Sequence, residues 1–212
     1  MNLAQEHRRA LCESAVRAGA DAPTLCGDWS VRDLLVHLVV REGRPDVTAA
    51  GLVPAGRGYA DRVQAEYAAM EFDDLVARVR NGPPRLSPLS IARVDDAANT
   101  VEFVLHHVDI VRATPSRHGP AFEEVTHRAM FTTLRRLGRL LFRQAPVGVV
   151  VVAPGRGRAA LRRPRPGHGS VVLTGEPVEL MVYASGRRAH ASVEISGDTA
   201  DTEALAATPL GM

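Results

Sequence analysis

The chain has 212 residues, 45% of them apolar and 24% charged, with a formal net charge of +2. That is ordinary globular composition, long enough for one large domain or two small ones, and it excludes an intrinsically disordered chain. All 26 basic residues are arginine and none is lysine, a mark of coding bias in a GC-rich genome rather than of a nucleic-acid-binding surface, and the near-neutral balance implies no bulk electrostatic partner.

Residues 2–19 read as a helix with an uneven apolar side of Leu3, Ala10, Leu11, Ala15 and Val16, and "ADAPTLCGDW" (20–29) as a loop. Ser30 can cap a second helix, "VRDLLVHLVVREG", with Asp33 at its third position completing a variant capping box. Apolar residues surround most of that helix, which predicts substantial burial. Residues 44–58 read as a long irregular connection of the kind that covers a site. A third helical region follows over 59–80 with a break near Phe72-Asp73, then a Pro-rich loop (81–90), a fourth helix (about 95–113) ended by "TPSRHGP", and a fifth (about 121–144). The fifth carries Phe122, Val125, Met130, Phe131, Leu134, Leu137, Leu140 and Leu141 at helical spacing. After Pro146 the texture changes. "VGVVVVAP" and "GSVVLTG" are short valine-rich runs bounded by Gly and Pro, the signature of strands. "EPVELMVYASG" reads as a helix, "AHASVEISGD" as another strand, and 198–207 as a closing helix. The expected architecture is therefore α+β: an all-helical part over 1–146 and a small α/β part over 147–212.

Cys12 and Cys26 are too few for a disulfide framework, and no Cys-x-x-Cys occurs. The N-terminus lacks the pattern of a signal peptide, and the longest apolar run, "VGVVVVA", is far short of a membrane span. A cytoplasmic, reduced protein is expected, without membrane or nucleic-acid partners, as monomer or homodimer. The run 155–169, with Arg156, Arg158, Arg162, Arg163 and Arg165, lacks interleaved aromatics; a solvated hairpin or an anion-docking surface suits it better than a nucleic-acid patch.

The chemistry concentrates in "EFVLHH" (102–107). On a helix Glu102 and His106 share a face one turn apart, Asp109 lies near the same line, and His107 points some 100° away. A carboxylate and an imidazole so placed form either a simple salt bridge or two ligands for a divalent ion; a third would come from elsewhere, and His37 in the buried second helix is the best candidate. The remaining histidines read as structural or solvated, and Cys26 as a buried small residue with no histidine close to it in sequence. Trp29 is expected to anchor its loop. Arg187 and Arg188 follow a helix end and could recognise a substrate carboxylate or complement the helix dipole.

"LCGDWSVRDLLVHLVVRE" (25–42) and "VEFVLHHVDIVRA" (101–113) resemble the two signatures of the mycothiol-dependent maleylpyruvate isomerase family, a DinB-like, actinobacterial group of metal-binding helical bundles. "GEPVELMVYASGRRAHASVEISGD" (175–198) resembles its C-terminal, sterol-carrier-like module. The resemblance implies an up-down bundle of four to five helices, a divalent metal, zinc above all, on His37, Glu102 and His106, and mycothiol as co-substrate. A divalent ion would hold the thiol as thiolate, the competent nucleophile for cis–trans isomerisation or for S-transfer to a small, anionic electrophile. Two other classes stay open: a non-catalytic binder of metal or small ligand, and a metal-dependent hydrolase.

Overall fold

The computed structural model describes residues 2–82, 92–114 and 119–211, with the backbone alone for 92–98. Most of the expected Pro-rich loop at 81–90, and the centre of "TPSRHGP" with His118, lie outside the described residues. The chain forms two compact units, Met1–Pro120 and Ala121–Met212.

The first unit is helical: α1 (Leu3–Ala18), α2 (Val31–Gly43), α3 (Pro45–Gly51), α4 (Arg57–Ala68), α5 (Phe72–Asn81) and α6 (Ala92–Arg112). α1 packs along α6 and against α5, while α2 packs on α5, α3 and α4. Leu11, Leu34, Leu35, Leu38, Leu75, Phe103 and Ile110 are among the fully buried side chains of a shared core. α2 begins with the expected reciprocal cap, in which the Asp33 N–H donates to Ser30 Oγ and the Ser30 N–H donates to Asp33 Oδ2. Two local expectations are corrected. The stretch 44–58 is not irregular but folds into α3 and a 3-10 turn at Pro54–Gly56. Pro45 and Pro54 each stand in the first turn of these elements, where the missing N–H costs no hydrogen bond. The break in the third helical region falls at 69–71, just before Phe72.

The second unit contains α7 (Glu124–Leu141), β1 (Gly148–Ala153), β2 (Gly157–Arg162), β3 (Ser170–Thr174), α8 (Pro177–Ala184), β4 (Glu194–Ser196) and α9 (Thr199–Ala206). The sheet order is β2-β1-β3-β4, with β1 parallel to β3 and the two outer pairings antiparallel. The architecture is thus α+β, as the sequence predicts. The division expected near 146 falls inside this unit, because α7 packs on α8 and β2. A stripe of Thr126, Met130, Leu134 and Gly138 makes that contact possible. A Cβ at Gly138 would lie 2.8 Å from the Leu161 side chain, so only glycine permits the approach. Val125, Leu137 and Leu140, expected on the apolar side, flank the stripe and are exposed. The arginine run contains β2 and its turn. Arg156 pairs with Glu124 and Glu176 at 2.7 and 2.8 Å, and Arg162 donates to the Ala145 carbonyl at 2.6 Å, so these two brace the hairpin. Among the described residues no helix is long and apolar enough to cross a membrane.

Candidate metal centre

α2 and α6 bring His37, Glu102 and His106 together inside the first unit. Glu102 Oε1 lies 3.2 Å from His37 Nε2 and 3.2 Å from His106 Nε2, and the Arg41 guanidinium approaches the same oxygen to 3.4 Å. His106 directs its other nitrogen, Nδ1, to Asp109 Oδ2 at 2.9 Å. Asp109 is fully buried and His106 nearly so, whereas the Glu102 and His37 side chains keep 26% and 35% of their surface, enough for a small molecule to reach them.

Burial would by itself raise the Glu102 pKa, but hydrogen bonds from His106 and His37 and the charges of His106 and Arg41 outweigh it, holding the carboxyl well below the usual range. Burial would likewise strip the proton from His106, but hydrogen bonding to Asp109, to Cys26 and to Glu102 raises its pKa instead. The cluster therefore has an ionised carboxylate facing two imidazoles, one of them backed by a second carboxylate.

That donor set fits a divalent ion. His37, Glu102 and His106 offer ligand atoms within 4.8 Å of one another. For ion–ligand bonds of about 2.0–2.1 Å, tetrahedral ligands stand roughly 3.3 Å apart, close to the 3.2 Å separations found here. The Nδ1–H to Asp109 bond supplies the carboxylate–histidine arrangement that orients a ligating imidazole and leaves Nε2 as the donor atom. His37 and Glu102 also line a cavity of about 770 Å³, walled by Trp29, Val36, Val40 and Val47 with Thr48 and Gln64, a size suited to a small ligand.

Asp109, expected near the same helical line, thus stands behind His106. Arg187 and Arg188 are in the second unit. Arg187 donates to the Ser185 carbonyl at the end of α8 at 3.1 Å, and Arg188 donates to the carbonyls of Ala206 and Thr208 at the end of α9. His107 faces the other way, as its spacing predicts, and takes the Ser14 hydroxyl at 2.9 Å. Three neighbours were not singled out for the site in the sequence. Cys26 Sγ lies 3.1 Å from Asp109 Oδ2 and 3.8 Å from His106 Nδ1, across some 80 residues of chain. Arg41 stands one turn beyond His37, a spacing that could have been noticed, and it binds Asn99 Oδ1 at 2.5 Å. The Trp29 ring stands at the cavity wall, 5.2 Å from that of His37.

Fold and cluster together define a helical domain with two imidazoles and two carboxylates at its heart, joined to a small α+β unit. Residues 2–99 match the family model of the mycothiol maleylpyruvate isomerase N-terminal domain. The helical unit is thus similar to that domain, in line with the resemblance of its motifs. The match includes Cys26, Trp29 and His37, while Glu102, His106 and Asp109 lie just beyond its end. Two solved structures share the fold, a mycothiol-dependent maleylpyruvate isomerase and a mutant of it. They have TM-scores of 0.58 and 0.59 at 17% and 16% identity, over 92% of this chain and 89% of theirs. No curated protein matches the chain.

Proposed function

We propose that the protein is a divalent-metal-dependent, thiol-dependent enzyme, an isomerase or S-transferase that uses mycothiol as the thiol and zinc as the ion. The observation that carries this reading is the convergence of His37, Glu102 and His106 at the edge of an aliphatic cavity, with Asp109 behind His106. Structural zinc sites are closed by four protein ligands, whereas three protein ligands leave a position for an exogenous group. A bound ion would supply the Lewis acidity that ionises a thiol at neutral pH. The protein's own residues do the rest. His37, Glu102 and His106 set the ligand positions, Asp109 holds the His106 tautomer, and Arg41 steadies Glu102. The cavity walled by Val36, Val40 and Val47 excludes water from the thiol and its electrophile.

In the isomerase form, a C–S bond forms at an activated cis double bond as the π electrons move onto the conjugated acceptor. The resulting single bond rotates, and the C–S bond then breaks to return the thiol and the trans alkene. In the transferase form the C–S bond is kept and a leaving group departs. Arg41, the guanidinium on the described lining, is divided between Glu102 and Asn99, so the anionic character expected of the electrophile draws no support from this cavity. Cytoplasmic location follows from the need for a reduced thiol.

The test is cobalt-substituted full-length protein titrated with mycothiol or a smaller thiol. A thiolate-to-cobalt charge-transfer band should appear, persist in a Cys12→Ser/Cys26→Ser variant, and vanish with the ion in His37→Ala. Bound cobalt without any such band at saturating thiol would leave a hydrolase or a plain metal binder as the function.

A further inference from the structure

The loop between α1 and α2 closes on itself and grips the cluster from behind. Thr24 N–H and Thr24 Oγ1–H both donate to the Trp29 carbonyl, at 3.1 and 2.8 Å, and Thr24 Oγ1 accepts from the Cys26 N–H at 3.1 Å. Pro23 and Ser30 form a bridge across the loop's base. Two bonds then clip this loop to one residue of α6. The Leu25 N–H donates to the Asp109 carbonyl at 3.1 Å, and Cys26 Sγ–H donates to Asp109 Oδ2 at 3.1 Å. That same Oδ2 receives His106 Nδ1–H. At its far end the loop sets the Trp29 ring against His37.

A carboxylate wholly withdrawn from water needs donors from more than one side to hold one rotamer. Here Oδ2 receives both His106 Nδ1–H and the Cys26 thiol, and the thiol, fixed to a closed loop, ties Oδ2 to that loop. Resting on the metal centre proposed above, we infer that Cys26 is a positioning residue, acting through Asp109 to aim His106 Nε2. The Thr24–Trp29 stretch of that loop thereby orients both imidazoles, His106 through Cys26 and Asp109, and His37 through Trp29.

The experiment measures cobalt(II) affinity of the full-length protein by competition with a chromophoric chelator, well below the melting temperature, for wild type, Cys26→Ala, Cys26→Ser, Asp109→Asn and the Cys26→Ala/Asp109→Asn double variant. Loss of a group behind a ligating histidine typically weakens binding about 10–100-fold; Cys26→Ala should fall in that range, and Cys26→Ser, which keeps a donor, should stay within about threefold of wild type. If Cys26 acts through Asp109, the double variant should lose no more than Asp109→Asn alone. Wild-type affinity in Cys26→Ala would reduce the thiol to loop packing, and fully additive losses would show that it does not work through Asp109. A thiolate-to-cobalt band in wild type before any thiol is added, absent in Cys26→Ser, would make Cys26 a ligand. Failure of wild type itself to bind cobalt would overturn the metal centre along with this inference, whereas the preceding three outcomes leave that centre standing.

Discussion

Two clusters of charge lie within the helical unit, one buried and one partly open, and they are built on opposite plans. Arg8 and Glu42 form a closed pair: both guanidinium NH2 groups meet both carboxylate oxygens at 2.6 Å, one of them also donates to the Val79 carbonyl at 2.8 Å, and the guanidinium lies 4.4 Å from the centre of the Phe103 ring. Both side chains are under 5% exposed. The Glu102 cluster instead crowds His37, His106 and Arg41 around a single carboxylate oxygen and borders a cavity. Arg8 and Glu42 meet one to one, so the pair neutralises itself and ties α1 to α2. Glu102 has more partners than one oxygen can serve well, an arrangement that an ion between them would relieve. Burial of charge by itself therefore does not mark a site; an excess of donors facing a cavity does.

The largest effect should come from the closed pair. Arg8→Ala would strand the Glu42 carboxylate in the core and should cost about 3–5 kcal/mol in urea unfolding, whereas Arg8→Met/Glu42→Leu together should be close to neutral. A small loss in the single variant would mean that water reaches Glu42 and the contrast is false.

Adjacent imidazoles on α6 sharpen the contrast next. Burial, with the nearby charges of His7 and Arg17, pushes His107 down to about 4. Arg17 donates to Ser14 Oγ at 2.8 Å, which directs the Ser14 proton toward His107 Nε2 and suits a neutral ring. A folded pKa below the unfolded value means that stability is complete above about 6.5 and declines as pH falls toward 4, by roughly 3 kcal/mol. His107→Gln should flatten that part of the stability–pH curve. His106 has the opposite sign, because its raised pKa gives stability that is present below the unfolded value and fades as pH climbs. A divalent ion must displace the His106 proton, so apparent metal affinity should rise with pH.

Of similar size is the stabilisation by metal. At a free-ion concentration of 100 times Kd, binding adds about 2.7 kcal/mol to folding. Chelation should lower the Tm of the wild type but leave Glu102→Ala, which lacks a ligand, unmoved. Equal responses from both would place the ion elsewhere. The smallest effect belongs to the cap of α2. Ser30→Ala should cost about 1 kcal/mol while cobalt affinity stays unchanged, since the cap starts the helix but touches none of the cluster.

Short-range order was legible in the residues themselves. Helical periodicity placed α1, α2, α6 and α7, the Ser30/Asp33 cap marked the start of α2, and valine runs marked β1 and β3. The one-turn spacing of Glu102 and His106 put both on one face, and the buried character of α2 nominated His37. These features depend on neighbours within four residues, where backbone hydrogen bonding and side-chain period leave a direct trace. Other features depended on distant partners. Cys26 meets Asp109 across 83 residues, Arg8 meets Glu42 across 34, and α7 joined the second unit because Gly138 admits Leu161. No local pattern encodes such meetings, because each forms only once whole helices and strands have packed. The sequence by itself therefore determined the longer helices, though not α3, and the candidate ligands that they carry. Tertiary structure alone decided that the Glu102 cluster is the open one and the Arg8–Glu42 pair the closed one, because how many donors surround a buried carboxylate is set by packing.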